Sequence, residues 1–414
     1  MKIRIINYSA GIGGVPRFVL EVAHGLQMRD PDIKLEFISH GLALRQFQRI
    51  FQEFKVAIRF IDMPPPDYWR SAPRRLFNIR GTGLASMYLS RSIFTWGFQI
   101  PDQALRECDL VWIPYLHFHR LPGAWKVPVV ATLHDMNLLS DIGGLPAFGR
   151  RHERQMLLRA MQLPVHFVTY AQATIADLKE YLPLALAPDK FHVIPITGNH
   201  VRKNTVSALP QTWSWTATPY LLCPAHLYPN KNQAFMLRVL AGMPNRLPVV
   251  LTGADTDLPR LNPRARKLRA LMKSLGLVLG RDVHPLGFVA SGQYDALLRH
   301  ARAVIMPTLA EGMCFPVEEA IWAGVPVLCS DIPVMREHMQ RIGADVIWFD
   351  PRRPASLHDA LLDFQANYDQ YKARALEQNM RLRPWSWQDV AHEYYRHFQL
   401  FMDEAKGARA ANAH

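Results

Sequence analysis

Two glutamates, Glu311 and Glu319, stand eight residues apart in the run Glu-Gly-Met-Cys-Phe-Pro-Val-Glu-Glu-Ala. An ionised carboxylate is an acceptor only, and its two oxygens can grip both hydroxyls of a vicinal diol. Two such groups on one loop suit a ligand with two diols, a ribose and a hexose. Between them Gly312, Met313, Cys314 and Phe315 lead into a helix predicted over Pro316–Trp322. Backbone N–H groups at a helix start suit sugar hydroxyls or phosphate oxygens. Spacing alone also allows a plain strand–loop–helix with a solvated glutamate pair.

Three more sites carry chemistry. Lys231, in Pro-Ala-His-Leu-Tyr-Pro-Asn-Lys-Asn-Gln, stands between a strand and a helix. There an ammonium and the helix dipole reinforce each other for an anion. A lone lysine at a helix start is more often just a solvated charge. Gly11, Gly13 and Gly14 make a glycine-rich first strand–helix turn, which lets backbone approach a phosphate or sugar. A dinucleotide fingerprint fails here: Pro16 stands where a third glycine belongs, and Glu36 lies inside a strand. His134, in Thr-Leu-His-Asp, ends an apolar strand, a place more often structural than catalytic. No His or Cys pair has metal-ligand spacing, so no metal is expected.

These residues need strands that deliver them to one edge. Strands are predicted at Lys2–Asn7, Lys34–Ser39, Asp109–Pro114, Val127–Leu133, His166–Tyr170 and Phe191–Ile194. A second series covers Tyr220–Cys223, Leu247–Gly253, Val283–Leu286, Ala303–Pro307 and Pro326–Ser330. Helices are expected at Arg17–Met28, Gln233–Ala241, Pro263–Leu275 with Asn262 as N-cap, Gly292–Ala301 and Gln388–Glu404. Unbroken apolar runs suit parallel strands buried on both faces. Strand–helix alternation twice over predicts two Rossmann-like domains. The chain's 414 residues fit two domains as well. The boundaries are placed at 1–205, 206–385 and 386–414, with 199–219 as linker and Gly407–His414 frayed.

Composition narrows the classes. The chain is 49% hydrophobic and 20% charged, the balance of a soluble globular protein. No run is long and apolar enough to span a bilayer, and no signal peptide is expected. Cys108, Cys223, Cys314 and Cys329 are far apart and read as reduced thiols of a cytoplasmic protein. The net charge is +13, and residues 1–205 hold 25 Lys/Arg against 16 Asp/Glu. Such a surplus attracts nucleic acid, anionic lipid or a phosphorylated ligand; no nucleic-acid docking motif accompanies it, so nucleic acid is not expected. In 41–100, Phe47, Phe51, Phe54, Trp69, Phe77, Trp96 and Phe98 interleave with Arg45, Arg49, Arg70, Arg74, Arg75 and Arg80. That mixture suits a surface lying on anionic headgroups, or a helical insertion with its aromatics turned inward.

Together these motifs resemble the retaining glycosyltransferases of family four, which have the GT-B fold: two Rossmann-like domains facing a cleft. The run EGMCFPVEEA is similar to the family's EGFGLPVLEA. Gly287-Phe288-Val289 with Tyr294, Ala323-Gly-Val-Pro-Val-Leu, Asp350-Pro and Ser386-Trp387 resemble further family segments. The resemblance implies that Lys231 binds the donor diphosphate and Glu319 the ribose. Glu311 and the backbone of Gly312, Met313, Cys314 and Phe315 would hold the sugar. Gly13, Gly14, Val289 and His226 would line the donor, and His134 would touch the sugar near the reacting carbon. It implies no cofactor, a metal-independent transfer from a nucleotide sugar (GDP-mannose slightly ahead of UDP-sugars), and a glycan or lipid-linked acceptor at the cytosolic membrane face. The last helix would return to the N-terminal domain. One departure stands out: His226 occupies the place of a family arginine, with Arg17 or Arg202 as substitutes, or with a diphosphate protonating His226. Rival readings are a GT-B sugar-nucleotide epimerase and an inactive nucleotide-sugar binder.

Overall fold

A computed structural model of the protein describes residues 1–9, 14–52, 56–66, 97–182, 187–199, 209–210, 213, 217–259, 262–383 and 385–411. Two compact units result. The first comprises Met1–Asp141, Leu145–Ile196 and Ser386–His414; the second comprises Ile142–Gly144 and Thr197–Trp385.

The first unit runs β1 (Lys2–Ile6), α1 (Gly14–Arg29), β2 (Lys34–Ser39), α2 (Gly41–Gln52), β3 (Ile58–Asp62), β4 (Phe98–Gln99), β5 (Leu110–Ile113), β6 (His119–Arg120), β7 (Val129–Thr132), α3 (Ala147–Met161), β8 (Val165–Thr169), α4 (Gln172–Tyr181) and β9 (Phe191–Val193). Its main sheet has the order β3-β2-β1-β5-β7-β8-β9, and every pairing is parallel. Central strands buried on both faces explain the charge-free runs: β5 and β7 are buried at every position. The exception is Arg4 in β1, neutralised by Glu36 of β2 at 2.7 Å. Glu36 is thereby spent inside the sheet, which removes it as a ribose ligand.

The second unit runs β10 (Leu221–Pro224), α5 (Gln233–Ala241), β11 (Val249–Thr252), α6 (Pro263–Ser274), β12 (Val283–Gly287), α7 (Ser291–His300), β13 (Ala303–Met306), α8 (Phe315–Trp322), β14 (Val327–Ser330), α9 (Pro333–Ile342), β15 (Ile347–Phe349), α10 (Pro354–Ala366) and α11 (Tyr368–Arg381). Its sheet has the order β12-β11-β10-β13-β14-β15, again parallel throughout. The chain winds outward from β10 in one direction and from β13 in the other. The switch point therefore lies between those two strands, where open sheets of this kind take ligands. Asn262 caps α6, accepting from the amides of Arg264 at 2.8 Å and Ala265 at 3.3 Å.

The last helix, α12 (Trp387–Ala411), belongs to the first unit and packs along α1. It begins one residue earlier than the sequence suggests and runs through Gly407, the expected start of fraying. Phe18 of α1 is the hub of this contact. Its ring lies 5.5 Å from Trp112 and 5.8 Å from Tyr394 of α12. In 41–66, Phe47 and Phe51 are buried against Phe37 while Arg45 and Arg49 are exposed, so here the aromatics face inward. Phe54, Trp69, Phe77, Trp96, Arg70, Arg74, Arg75 and Arg80 lie outside the described residues. Among the described residues no helix is long and apolar enough to cross a membrane.

Gly25 marks the closest approach of α1 and α12: a Cβ there would collide with that of Ala391 and lie 3.3 Å from the Trp387 carbonyl. Gly25→Leu is expected to cost about 1–3 kcal/mol by overpacking. A thermal midpoint unchanged from wild type would show that the helix does not depend on this contact.

Candidate active site

In the second unit, the parallel strands present their carboxyl ends along one edge, and the loops after them are laced together. The Gly253 amide donates to the Gly287 carbonyl at 2.8 Å, and that of Leu227 to Ala254 at 3.0 Å. Across the switch point Asn230 does the joining. Its carbonyl accepts from the Leu309 amide at 2.7 Å and from the Thr308 hydroxyl at 2.9 Å; its carboxamide donates to Ala310 at 3.1 Å. Gly253 has φ +119, and a Cβ there would sit 2.8 Å from the His226 nitrogen. That position is closed to other residues on both counts.

Lys231 ends a single helical turn, Pro229–Lys231, and Asn232 at φ 54 turns the chain into α5. Asparagine is among the few non-glycine residues that take this left-handed conformation readily. The geometry directs Lys231 back over the switch point. Its ammonium meets Glu311 Oε1 at 2.5 Å, and the Thr308 hydroxyl donates to the same oxygen at 2.8 Å. So Lys231 and Glu311, given separate ligands by the sequence reading, pair with each other in this ligand-free chain.

Glu319 is buried on α8, and the hydroxyl of the half-buried Tyr294 donates to its Oε2. Burial and the neighbouring Glu319 charge hold the Tyr294 phenol well above its ordinary range, so it acts as a donor at every working pH. Gly312 is fixed through its carbonyl, which accepts from His338 Nε2 at 3.2 Å. Among the described residues, the amides of Gly312, Met313 and Cys314 donate to no backbone carbonyl. α8 starts at Phe315, one residue before the expected proline. Cys314 is buried, and burial raises its thiol well above the usual range, so it is no nucleophile. Val289 is half-buried beyond β12, next to the exposed Phe288.

His226 is half-buried and stacks edge-on against Tyr228 at 4.9 Å. Burial, then the charges of Lys231 and Arg264, push its pKa down to about 4. His226 is thus neutral here, not protonated. Of the expected substitutes, Arg17 is bound to Glu21 at 2.6 Å and Arg202 lies outside the described residues.

Glu318, which spacing did not single out, is the most buried of the three carboxylates on this segment. It accepts from the Gly198 amide at 2.8 Å, the Thr197 hydroxyl at 3.2 Å and Arg341 at 3.0 Å. This carboxylate ties the start of the second unit to the helix that carries Glu319. A Cβ on Gly198 would sit 2.8 Å from that of Glu318, so the glycine permits the approach.

In the first unit, Gly14 opens α1 and Gly13 lies outside the described residues. His134 follows β7, with both ring nitrogens engaged. Nε2 donates to the Pro114 carbonyl at 2.6 Å and Nδ1 accepts from the Tyr170 hydroxyl at 2.9 Å. Burial lowers its pKa to about 4, so the ring is neutral. Beside it lies a pair that the sequence did not reveal. Buried His117 faces acceptors at both nitrogens, Glu153 at 2.7 Å and the Asp135 carbonyl at 2.9 Å. Burial opposes its charge, but the hydrogen bond and charge of Glu153 outweigh that and raise its pKa. An imidazolium therefore holds the loop that carries His134.

Two measurements test this picture. Glu318→Ala removes the acceptor shared by Thr197, Gly198 and Arg341 and is expected to destabilise the protein by about 1–3 kcal/mol; a midpoint within error of wild type in thermal unfolding would refute the anchoring role. The second concerns pH. His119, His134, His226 and His338 all have pKa values held near 4 by burial, below their ordinary 6.5. Unfolding lets them take up protons, so their contribution is whole above pH 6.5 and lost as pH falls toward 4. His117, with its raised value, works the other way and loses its contribution as pH rises. His166, His192 and His284 are lowered by burial as well, so seven histidines against one predict a midpoint that drops between pH 6.5 and 4; a flat profile there would contradict it.

Comparison with known proteins places this geometry. The description "Glycosyltransferase Family 4" matches residues 12–196, and "Glycosyl transferases group 1" matches residues 211–383. A comparison with curated proteins gives no match. The structure of Anabaena HepE in complex with UDP and glucose has a TM-score of 0.67 at 15% identity, over 96% of this chain and 99% of that one. A glycosyltransferase from Rickettsia africae gives 0.62 at 13%, over 97% and 98%. WaaG, a glycosyltransferase involved in lipopolysaccharide biosynthesis, gives 0.60 at 15%, over 95% and 98%. Identities this low speak for the shared GT-B fold alone. The two family signatures divide the chain between them and together span most of it: the chain belongs to the group 1, family 4 glycosyltransferases.

Proposed function

We propose that this chain transfers a hexose from a nucleotide-diphospho-sugar, with retention at the anomeric carbon, to a glycan or lipid-linked acceptor in cell-surface polysaccharide or lipopolysaccharide synthesis. The observation that carries the reading is the Lys231–Glu311 pair at the switch point of the second sheet, with Glu319 and free amides beside it. A cation and a diol-binding carboxylate there match the two ends of such a donor. WaaG, with its part in lipopolysaccharide biosynthesis, supports the acceptor class.

The leaving group is a nucleoside diphosphate, so negative charge develops on its bridging oxygen as the glycosidic bond breaks. In this reading Lys231 turns from Glu311 to that phosphate, which frees Glu311 for the sugar hydroxyls. The amides of Gly312, Met313 and Cys314 hold the same end, and Glu319 holds the ribose with Tyr294 fixing one oxygen. Preorganised groups of this kind are the largest single contribution in many enzymes. Charge supplied by side chains lets the transfer proceed without a metal. The acceptor attacks the face that the diphosphate leaves, and the departing phosphate takes its proton. No carboxylate acts as a covalent nucleophile. The family resemblance would add Gly13, Gly14 and His134 as donor contacts. His134 then acts by its ring edge and backbone, since both nitrogens are engaged. The reaction belongs to the cytoplasmic side of the membrane, where nucleotide sugars are made.

The test is a panel of UDP-, GDP-, ADP- and dTDP-sugars, with release of nucleoside diphosphate as the readout. UDP-glucose, which HepE binds, heads it together with GDP-mannose. Lys231→Ala and Glu319→Ala are each expected to lose about 100-fold or more in turnover in the folded protein, with a lower thermal midpoint for Lys231→Ala because Glu311 loses its partner. Wild-type rates in purified Lys231→Ala would refute the diphosphate site. Donor binding without release, even with acceptor glycans added, would favour the inactive binder, and an epimerised sugar would favour the epimerase.

A further inference from the structure

The ligand-free donor site is short of positive charge. Lys231 is neutralised by Glu311 at 2.5 Å, His226 is uncharged, and Arg17 is bound to Glu21. A donor diphosphate brings two ionised phosphates, and Lys231 alone balances one of them.

Arg264 stands beside this site on the first turn of α6, which Asn262 fixes through the Arg264 amide itself. Its guanidinium carbon lies 4.3 Å from the centre of the Tyr228 ring. Tyr228 in turn meets His226 edge-on and opens the turn that carries Lys231, accepting from the Lys231 amide at 3.0 Å. A Cβ on Gly144 would come within 2.8 Å of Arg264 Nη2, so the guanidinium also rests on that glycine. Among the described residues Arg264 makes no ion pair. An aromatic face attracts a cation through its quadrupole without consuming any N–H donor. The arginine fork is thereby oriented yet left open for an anion, and a guanidinium matches phosphate oxygens two at a time.

We infer that Arg264 is a donor-binding residue, the second cation for the diphosphate, delivered from α6 instead of from the loop after β10 where the chain carries His226. The inference rests on the nucleotide-sugar reading above. The charge of Arg264 also disfavours a proton on His226, after burial and the charge of Lys231. In this arrangement Tyr228 is a positioning residue, holding the guanidinium without touching the phosphates.

Calorimetry with UDP, GDP, ADP and dTDP, and with the matching nucleosides as uncharged controls, tests it. Wild type is expected to bind one of these diphosphates. Arg264→Gln keeps the side chain's reach and removes its charge, and is expected to weaken that diphosphate about 10-fold or more. Nucleoside binding is expected to stay unchanged, the salt dependence of diphosphate binding to flatten, and Arg264→Lys to recover part of the loss. Diphosphate affinity equal to wild type in a folded Arg264→Gln overturns the inference while leaving the donor reading intact. Wild type that binds none of UDP, GDP, ADP and dTDP overturns the donor reading first, before any variant is compared. Should Arg264→Gln fail to fold, Tyr228→Leu removes the ring beneath the guanidinium; a smaller loss confined to the diphosphate is expected, and none would overturn the inference.

Discussion

The contact between Lys231 and Glu311 sets the terms for the second unit's site. Both side chains are largely withdrawn from water, and neither charge is tolerable there alone. The pair keeps the lysine charged and aimed before any ligand arrives. On the proposed donor reading, ligand binding is then an exchange: an anion would replace Glu311 as the partner of Lys231, and the carboxylate would pass to a new donor. A sugar joined to a diphosphate is a ligand that satisfies both released groups at once. A simple anion would leave Glu311 stranded, and a simple sugar would leave Lys231 stranded. On the proposed donor reading, the pairing would favour molecules that carry both chemistries at the right separation.

That exchange needs a frame that does not move when the pair opens. Asn230 supplies part of it by joining the loops after β10 and β13 through backbone and carboxamide together. Glu318 supplies another part, because its carboxylate holds Thr197, Gly198 and Arg341 to α8. Adjacent glutamates on that helix have opposite duties. Glu318 sits in a polar cage and fixes the helix, while Glu319, which accepts from Tyr294 at Oε2, is the ribose ligand of the proposed reaction. The first unit repeats the pattern with different groups: the His117–Glu153 pair holds the Asp135 carbonyl, and with it the loop that bears His134.

Much of this was legible in the residues, and the reasons for success and failure are physical. Central parallel strands declare themselves as charge-free apolar runs, and the bounds of Gln233–Ala241 and the cap at Asn262 follow from local chemistry. Edge strands give weaker signals. β3 is half-exposed along its length and carries Arg59, so nothing in Ile58–Asp62 reads as buried strand. α12 outruns its expected end because the chain stays helical through Gly407, where local propensity argues for a stop. The family motif located Glu311, Glu319 and Lys231, since their roles depend on position along the chain. It could not find Glu318, Arg264, or His117 with Glu153. Those act through partners 23 to 121 residues away, or through a ring on a different element, and only folding brings them together.

The neutral His226 becomes intelligible in that setting. A third cation between Lys231 and Arg264 would be repelled by both, and burial would penalise it further. An uncharged ring avoids both costs and still packs edge-on against Tyr228, which steadies the face on which Arg264 lies. The departure from the family pattern is therefore a redistribution of charge between two loops of one sheet edge. The β10 loop gives up its arginine and keeps an aromatic platform, and α6 brings the guanidinium to that platform. Because His226 titrates far below neutrality in the empty site, any pH dependence of donor binding near pH 7 must come from the ligand raising its pKa or from the phosphates themselves, and not from a histidine charged in advance.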